Sequence, residues 1–227
     1  MTEFFDVSHN SFDTRGFPWG QSILRGEELV RVCYECTKDP EGRKTWQTRG
    51  HVELLLEQGK GNRWPDVLGC GAFPLFIVSR RVIDDWREDG IGEFPSNPVK
   101  IANPLPKRLQ GTEVPEYFWL DGDAMIGAKL DFDKSGFIGV SFCPACSART
   151  HNIRTTYDRQ HSGTWPKMFL EGSWNGTHIF TTDLSSTSFF CTEVVVACAR
   201  KHKHTNFRFV PAERAASSTE GIKYLPR

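Results

Sequence analysis

The sequence predicts an α+β fold built from two similar strand–helix halves with mixed or antiparallel sheets. Three observations carry this. The apolar run Phe73-Pro74-Leu75-Phe76-Ile77-Val78 leads through Ser79, an N-cap residue type, into a helix over 80–88. The run Phe189-Phe190-Cys191 leads in the same way through Thr192 into a helix over 193–203. The 20 glycines and 13 prolines make about one residue in seven a turn former, which calls for short strands and few long helices.

Taken in order, residues 1–32 read as loop-rich, with Arg15-Gly16-Phe17-Pro18-Trp19-Gly20 as a turn cluster and Leu29-Val30-Arg31-Val32 as a short strand. His51 to Gln58 carries Val52, Leu54, Leu55 and Leu56, which suits a strand or a short helix. In the helix after Ser79, Val82, Ile83 and Trp86 fall on one face, and Gly90 is placed to end it. Residues 95–115 hold five prolines, so regular helix is excluded and a connector is expected. Tyr117-Phe118-Trp119-Leu120 and residues 136–142 read as strands, and Asn206-Phe207-Arg208-Phe209-Val210 alternates like another. The expected organisation is therefore an N-terminal half over 1–94, the connector over 95–115, a C-terminal half over 116–213 and a loose tail over 214–227, with one continuous domain also open. The two strand–helix segments superpose at an offset of 113 residues, and a CxxC precedes each at an offset of 110, which suggests an internal duplication.

Composition narrows the function classes. The 28 Lys and Arg cancel 28 Asp and Glu, so an overall basic field for non-specific nucleic-acid or membrane binding is missing. Seven cysteines, an odd number, argue against a closed disulfide framework. No apolar run approaches the roughly 18 residues needed to cross a bilayer. The start MTEFFDVSHN lacks the layout of a signal peptide, and the expectation is a soluble cytoplasmic protein. The 28 aromatic residues are spread along the chain and suit a packed core.

The motif with the clearest chemistry is a pair of CxxC segments, Cys33-Tyr34-Glu35-Cys36 and Cys143-Pro144-Ala145-Cys146. Two thiolates three residues apart can face one tetrahedral ion, and two such knuckles complete a four-sulfur zinc shell. The 107 residues from Cys36 to Cys143 exceed the spacing of a compact ribbon. The shared site therefore requires the two halves to pack together, and its apparent energy of about 10–16 kcal/mol would make zinc part of folding. Unrelated thiols in a reducing cell are the plain alternative. Cys191 and Cys198, seven apart, read as packing residues, and Cys70 between Gly69 and Gly71 reads as a thiol of open accessibility. Asp131-Phe132-Asp133-Lys134-Ser135-Gly136 opens like a calcium loop, but its twelfth position is Phe142, so a polar turn is expected.

Two charged segments remain. Arg200-Lys201-His202-Lys203-His204 falls at a helix C-terminus, where cations are favoured. Asp84, Asp85, Trp86, Glu88 and Asp89 form an acidic helix face with an embedded Trp, a solvated face or a surface for a basic partner.

With the CxxC pairs, Trp64-Pro65-Asp66-Val67-Leu68-Gly69, Phe190-Cys191-Thr192-Glu193 and Asn206-Phe207-Arg208-Phe209, the chain resembles the double-CXXCG motif proteins of myxobacteria and their relatives, over residues 30–211. The family motif carries over onto Cys33, Cys36, Cys143 and Cys146. The sequence departs from it at Thr37 and Ser147, where the family has Gly, which eases the turn that points backbone N–H groups at sulfur. The resemblance implies an immunity protein: a non-enzymatic binder that occludes a cognate bacterial toxin, with structural zinc. Two other expectations are carried. One is an enzyme that reverses a toxin's modification, drawing on Asp121, Asp123, Asp131 and His151. The other is a zinc-containing nucleic-acid binder using the 200–204 patch, disfavoured by the neutral charge.

Overall fold

Burial alternates along residues 51–57 with the period of a strand: Val52, Leu54 and Leu56 are buried, and Glu53 and Leu55 between them are partly exposed. The structure, a computed structural model, describes residues 2–9, 16–33, 43–57, 61–71, 75–138, 143–144, 154–155, 163–164, 166–183, 185–213, 216–217 and 222–223. It confirms a mixed α+β fold.

In chain order the elements are β1 (Phe4–His9), β2 (Trp19–Cys33), β3 (Arg43–Leu56), β4 (Val67–Cys70), β5 (Ile77–Ser79), α1 (Arg80–Glu88), β6 (Ser96–Ile101), β7 (Tyr117–Leu120) and β8 (Ile126–Ala128). There follow β9 (Phe137–Ile138), β10 (Arg154–Thr155), β11 (Gly163–Thr164), β12 (Ile179–Thr182), β13 (Ser185–Thr192), α2 (Glu193–Lys201), β14 (Phe207–Pro211), β15 (Ala216–Ser217) and β16 (Ile222–Lys223). Strands β2-β3-β6-β7-β5-β4 close into a barrel, and β16-β14-β1-β13-β12-β8 form an open sheet. Strands β9 and β10 pair with each other, as do β11 and β15.

Barrel and sheet share one strand pattern. In the barrel, β2 runs parallel to β4, β4 antiparallel to β5, β5 antiparallel to β7 and β7 antiparallel to β6. In the sheet, β8 runs parallel to β12, β12 antiparallel to β13, β13 antiparallel to β1 and β1 antiparallel to β14. Helix α1 thus links β5 to β6 across β7, and α2 links β13 to β14 across β1. The difference lies at the edge: β3 pairs with both β2 and β6 and closes the barrel, whereas β14 meets only the short β16 beyond β1.

The main core lies where the helices meet. Val67, Phe76, Val78, Val82 and Trp86 from the barrel side pack with Phe189, Cys191, Val195, Val196, Cys198, Ala199, Phe207 and Phe209. Because side chains alternate along a strand, the intervening residues face the other way. Leu68 and Ile77 fill the barrel with Val52, Leu54, Leu56, Tyr117 and Trp119, while Phe180 and Phe190 pack on the far face of the sheet with Phe4, Phe169 and Trp174.

Several local expectations change. Residues 4–9 and 19–33, expected largely as loop, are strands, because β1 is the central strand of the sheet and β2 a barrel wall. Within the proline-rich connector, residues 96–101 form β6, where Pro98 lies opposite Phe118. The tail expected to be loose supplies β15 and β16. Cys70 is buried in the barrel core, and its flanking glycines have a steric reason: a Cβ at Gly69 would come within 2.4 Å of the Trp19 ring. The calcium-loop look-alike is a turn, in which the Asp131 carboxylate accepts from the Lys134 N–H at 3.0 Å and Phe137 N–H donates to the Phe132 carbonyl.

Among the described residues, no helix is long and apolar enough to cross a membrane.

Candidate functional site

Helix α1 begins at Ser79, but the Ser79 hydroxyl donates to the Asp66 carboxylate at 3.3 Å and makes no cap hydrogen bond. Asp66 lies just ahead of β4 and is buried. Its carboxylate accepts two hydrogen bonds from Arg81 Nη1 at 3.0 Å, and from the N–H and hydroxyl of Thr205 at 2.7 and 2.9 Å. The Asn206 side chain donates to the Val67 carbonyl at 2.7 Å. The segment after α2 is thereby fastened to the segment before β4, which places the end of α2 beside α1.

The two helices end alike. At the end of α1, Gly90 has φ 72° and the Ile91 N–H reaches the Trp86 carbonyl at 2.9 Å. At the end of α2, Lys203 has φ 54° and the His204 N–H reaches the Ala199 carbonyl at 2.9 Å. Both are Schellman turns with a left-handed residue after the cap. They leave Asp89 and His202 as the capping residues, one on each helix.

These caps meet. His202 Nε2 lies 3.1 Å from Asp89 Oδ2, and His202 Nδ1 lies 3.4 Å from Asp85 Oδ1. His204 Nε2 lies 2.7 Å from Asp85 Oδ2. Lys201 Nζ donates to Asp89 Oδ1 at 2.5 Å, the Cys198 thiol donates to the same carboxylate, and Arg81 Nη2 donates to the His202 carbonyl. The imidazoles of His202 and His204 stack at 5.7 Å, and His204 in turn stacks on Phe207.

The electrostatics follow from these contacts. The Lys201 hydrogen bond holds Asp89 down at about 2. Burial, with the Asp89 hydrogen bond adding to it, pushes the Cys198 thiol up to about 12. Burial also lowers His204, outweighing its hydrogen bond to Asp85. Near neutral pH the cluster therefore contains an ionised Asp89 facing a lysine, an imidazole and a protonated thiol. Asp89, Cys198 and His202 each offer one donor atom, all within 4.8 Å of one another.

The residues singled out from sequence are divided by this geometry. Asp85 and Asp89 face α2 and are engaged there. Asp84 and Glu88 are exposed, and Asp84 pairs with Arg87 on its own helix at 3.2 Å. Trp86 does not lie on that acidic face: it is 1% exposed, in the core between Phe94 and Phe207. In the 200–204 patch, Lys201, His202 and His204 are paired with α1. Cys33 is the last residue of β2, opposite Arg43, and Cys143 is buried. Cys36 and Cys146 lie outside the described residues, as does His151.

Asp66, Arg81 and Thr205 carry no local sequence signal, because their meeting depends on contacts across 139 and 15 residues. Cys198 and His202 did carry a sequence signal. Four residues apart at a helix end, they share a face.

No protein-family model matches the chain, and no curated protein matches it.

Proposed function

We propose that the chain is a binding protein of the immunity type, which occludes a cognate toxin domain without chemistry of its own. On this reading it is built from two copies of one strand–helix unit, and each copy carries a CxxC in the stretch of chain between two paired strands. The observation that carries the reading is the placement of those strand pairs. Among the described residues, 27–33 and 43–48 find ladder partners only in each other, so the far part of the β2–β3 hairpin is a two-stranded arm reaching past the barrel. The second CxxC falls between β9 and β10, themselves a separate two-stranded pair. Arms of this kind supply partner-contact surface without disturbing the core that holds them.

Zinc fits the same reading. Cys33, Cys36, Cys143 and Cys146 would give it four thiolates, one pair from each copy, and the ion would fix the two arms relative to one another. An occluding surface gains from that, since arms ordered beforehand lose less entropy on binding.

The duplication is supported by residue-level correspondence. At the offset of 113 residues, α1 maps onto α2 end to end, Phe94 onto Phe207 and Val82 onto the equally buried Val195. Phe76 maps onto Phe189, and these two rings stack on each other at 5.1 Å. Asp89 maps onto His202, which it touches. Residues that contact their own equivalents mark an approximate two-fold axis.

The enzyme alternative is less well supported. Asp121 accepts from the Asp123 N–H and Asp131 from the Lys134 N–H, so both carboxylates hold turns. The nucleic-acid alternative draws on the 200–204 patch, three of whose residues are engaged by α1.

Titration against the product of the neighbouring reading frame tests the reading, which expects a toxin there. Occlusion predicts a one-to-one complex and full protection at one equivalent. Protection far below one equivalent would mean turnover, and no complex with that toxin would overturn the proposal. Metal analysis of protein purified without added metal tests the zinc. Loss of one equivalent of bound zinc on Cys143→Ser is expected, and a wild-type protein free of zinc would remove the metal from the reading.

A further inference from the structure

We propose that Asp89, Cys198 and His202 form a second metal site, distinct from the CxxC pairs, for a zinc-class divalent ion held between the ends of α1 and α2. The donor set is a thiol, an imidazole and a carboxylate, the three ligand types zinc takes, and three protein ligands leave a fourth position for water or another donor. Cys198 and His202 are four residues apart at the end of α2 and project from one face. Asp89 comes from the capping position of the facing helix.

The distances are close to what an ion requires. Bonds of about 2.0–2.3 Å in a tetrahedron put ligand atoms roughly 3.3–3.8 Å apart. Asp89 Oδ2 and His202 Nε2 are already 3.1 Å apart, and no pair among the three donors exceeds 4.8 Å.

The surroundings orient the ligands as metal sites do. With Nε2 turned toward the ion, His202 keeps Nδ1 against Asp85 Oδ1, a carboxylate–imidazole–metal arrangement. Asp85 is itself fixed by His204, which is 1% exposed. Arg81 holds the His202 backbone through its carbonyl, and Lys201 occupies Asp89 Oδ1 while Oδ2 faces the ring. Cys198 is buried, whereas the side chains of His202 and Asp89 are each 17% exposed, which leaves the ion a route from solvent.

Binding replaces the S–H bond of Cys198 with a metal–sulfur bond and releases one proton to solvent, so affinity rises with pH. Because the ligands come from both helices, the ion also stabilises the folded chain.

Cobalt(II) titration of the full chain tests the proposal, read by visible absorption, stoichiometry and thermal unfolding. Wild-type protein is expected to bind one equivalent more than Cys198→Ser, with a sulfur-to-cobalt band missing from the variant. Cys143→Ser keeps this equivalent, which separates the site from the CxxC thiols. Asp85→Asn is expected to weaken it by about 10–100-fold, and Lys201→Ala to tighten it by freeing Asp89. Identical stoichiometry and spectra for wild type and Cys198→Ser would overturn the site. Should Cys198→Ser fail to fold, unchanged affinity in both Asp85→Asn and Lys201→Ala would overturn it equally.

Discussion

Helices α1 and α2 have the same length, each follows a strand directly, and each stops on the same backbone turn, yet one ends in carboxylates and the other in cations. Under the duplication proposed above, contacts across a two-fold axis would set Asp89 against a second aspartate. Here the equivalent position is His202, and Lys201 stands where α1 has Glu88. Asp89 meets Lys201 in an ion pair and His202 in a hydrogen bond. Size differs in the same way. Trp86 is matched by Ala199, so the single bulky indole lies between Phe94 and Phe207. The two regions share a strand–helix order and an end turn, while the side chains at their contact are complementary.

The most severe way to break this complementarity is Trp86→Ala. It empties the space between the two aromatic rings and is expected to cost about 3–5 kcal/mol, read as a lower urea midpoint at unchanged slope. Ala199→Trp overfills the core and costs about 1–3 kcal/mol. The double variant, with the indole moved to the equivalent position, is expected to recover part of the loss. A double variant less stable than either single one would contradict the equivalence of the two positions.

Acid sharpens the comparison next. His9, at the end of β1 against Trp19, is lowered to about 4 by burial first and by Arg208 second. An imidazole with a depressed value is neutral when folded, so its stabilisation is complete above about 6.5 and is lost as pH falls toward 4. The loss amounts to at most about 3 kcal/mol. His204 is lowered as well and acts in the same sense. Asp89, lowered to about 2, loses its contribution only below about 4. His9→Gln is expected to flatten the dependence of the urea midpoint between pH 6.5 and 4, with a residual slope from His204. An unchanged slope would show that His9 does not titrate in this window.

The smallest effect concerns the helix ends. Gly90 takes the left-handed conformation without a Cβ, whereas Lys203 takes it at a steric cost. Lys203→Gly is expected to stabilise by about 1 kcal/mol and Gly90→Ala to destabilise by a similar amount, both as shifts in Tm. Equal and negligible shifts would mean the two turns are not under the same constraint.

How much of this was legible depends on the range of the interaction. The two helices, their N-terminal boundaries and the α+β class followed from local pattern: apolar runs, cap residue types and a helical stripe. The 113-residue offset was also legible, and α1 and α2 coincide at it. The barrel was not, because its closure depends on β3 meeting β6 and β2 meeting β4 in parallel, and parallel pairing leaves no turn signature. The proline-rich stretch misled for a related reason: Pro98 occupies a strand whose place is set by its neighbours in the barrel. In the sequence, Trp86 and the acidic residues around it read as one surface. Helical period put Trp86 with Val82 on the inner face, and only the arrival of α2 showed that Asp85 and Asp89 turn inward too.

The sequence alone determined the two helices, their starts and the α+β class, since cap residues, apolar periodicity and turn residues act over a few positions. It also determined neutral overall charge, with opposite charges at the two helix ends. Tertiary structure decided which groups those charges meet. Asp66 finds Thr205 across 139 residues, and Asp89 finds His202 across 113. Contacts at such separations are fixed by how sheets and helices pack as bodies, and the burial that shifts Cys198 and His204, like the Lys201 hydrogen bond that lowers Asp89, exists only once they have packed.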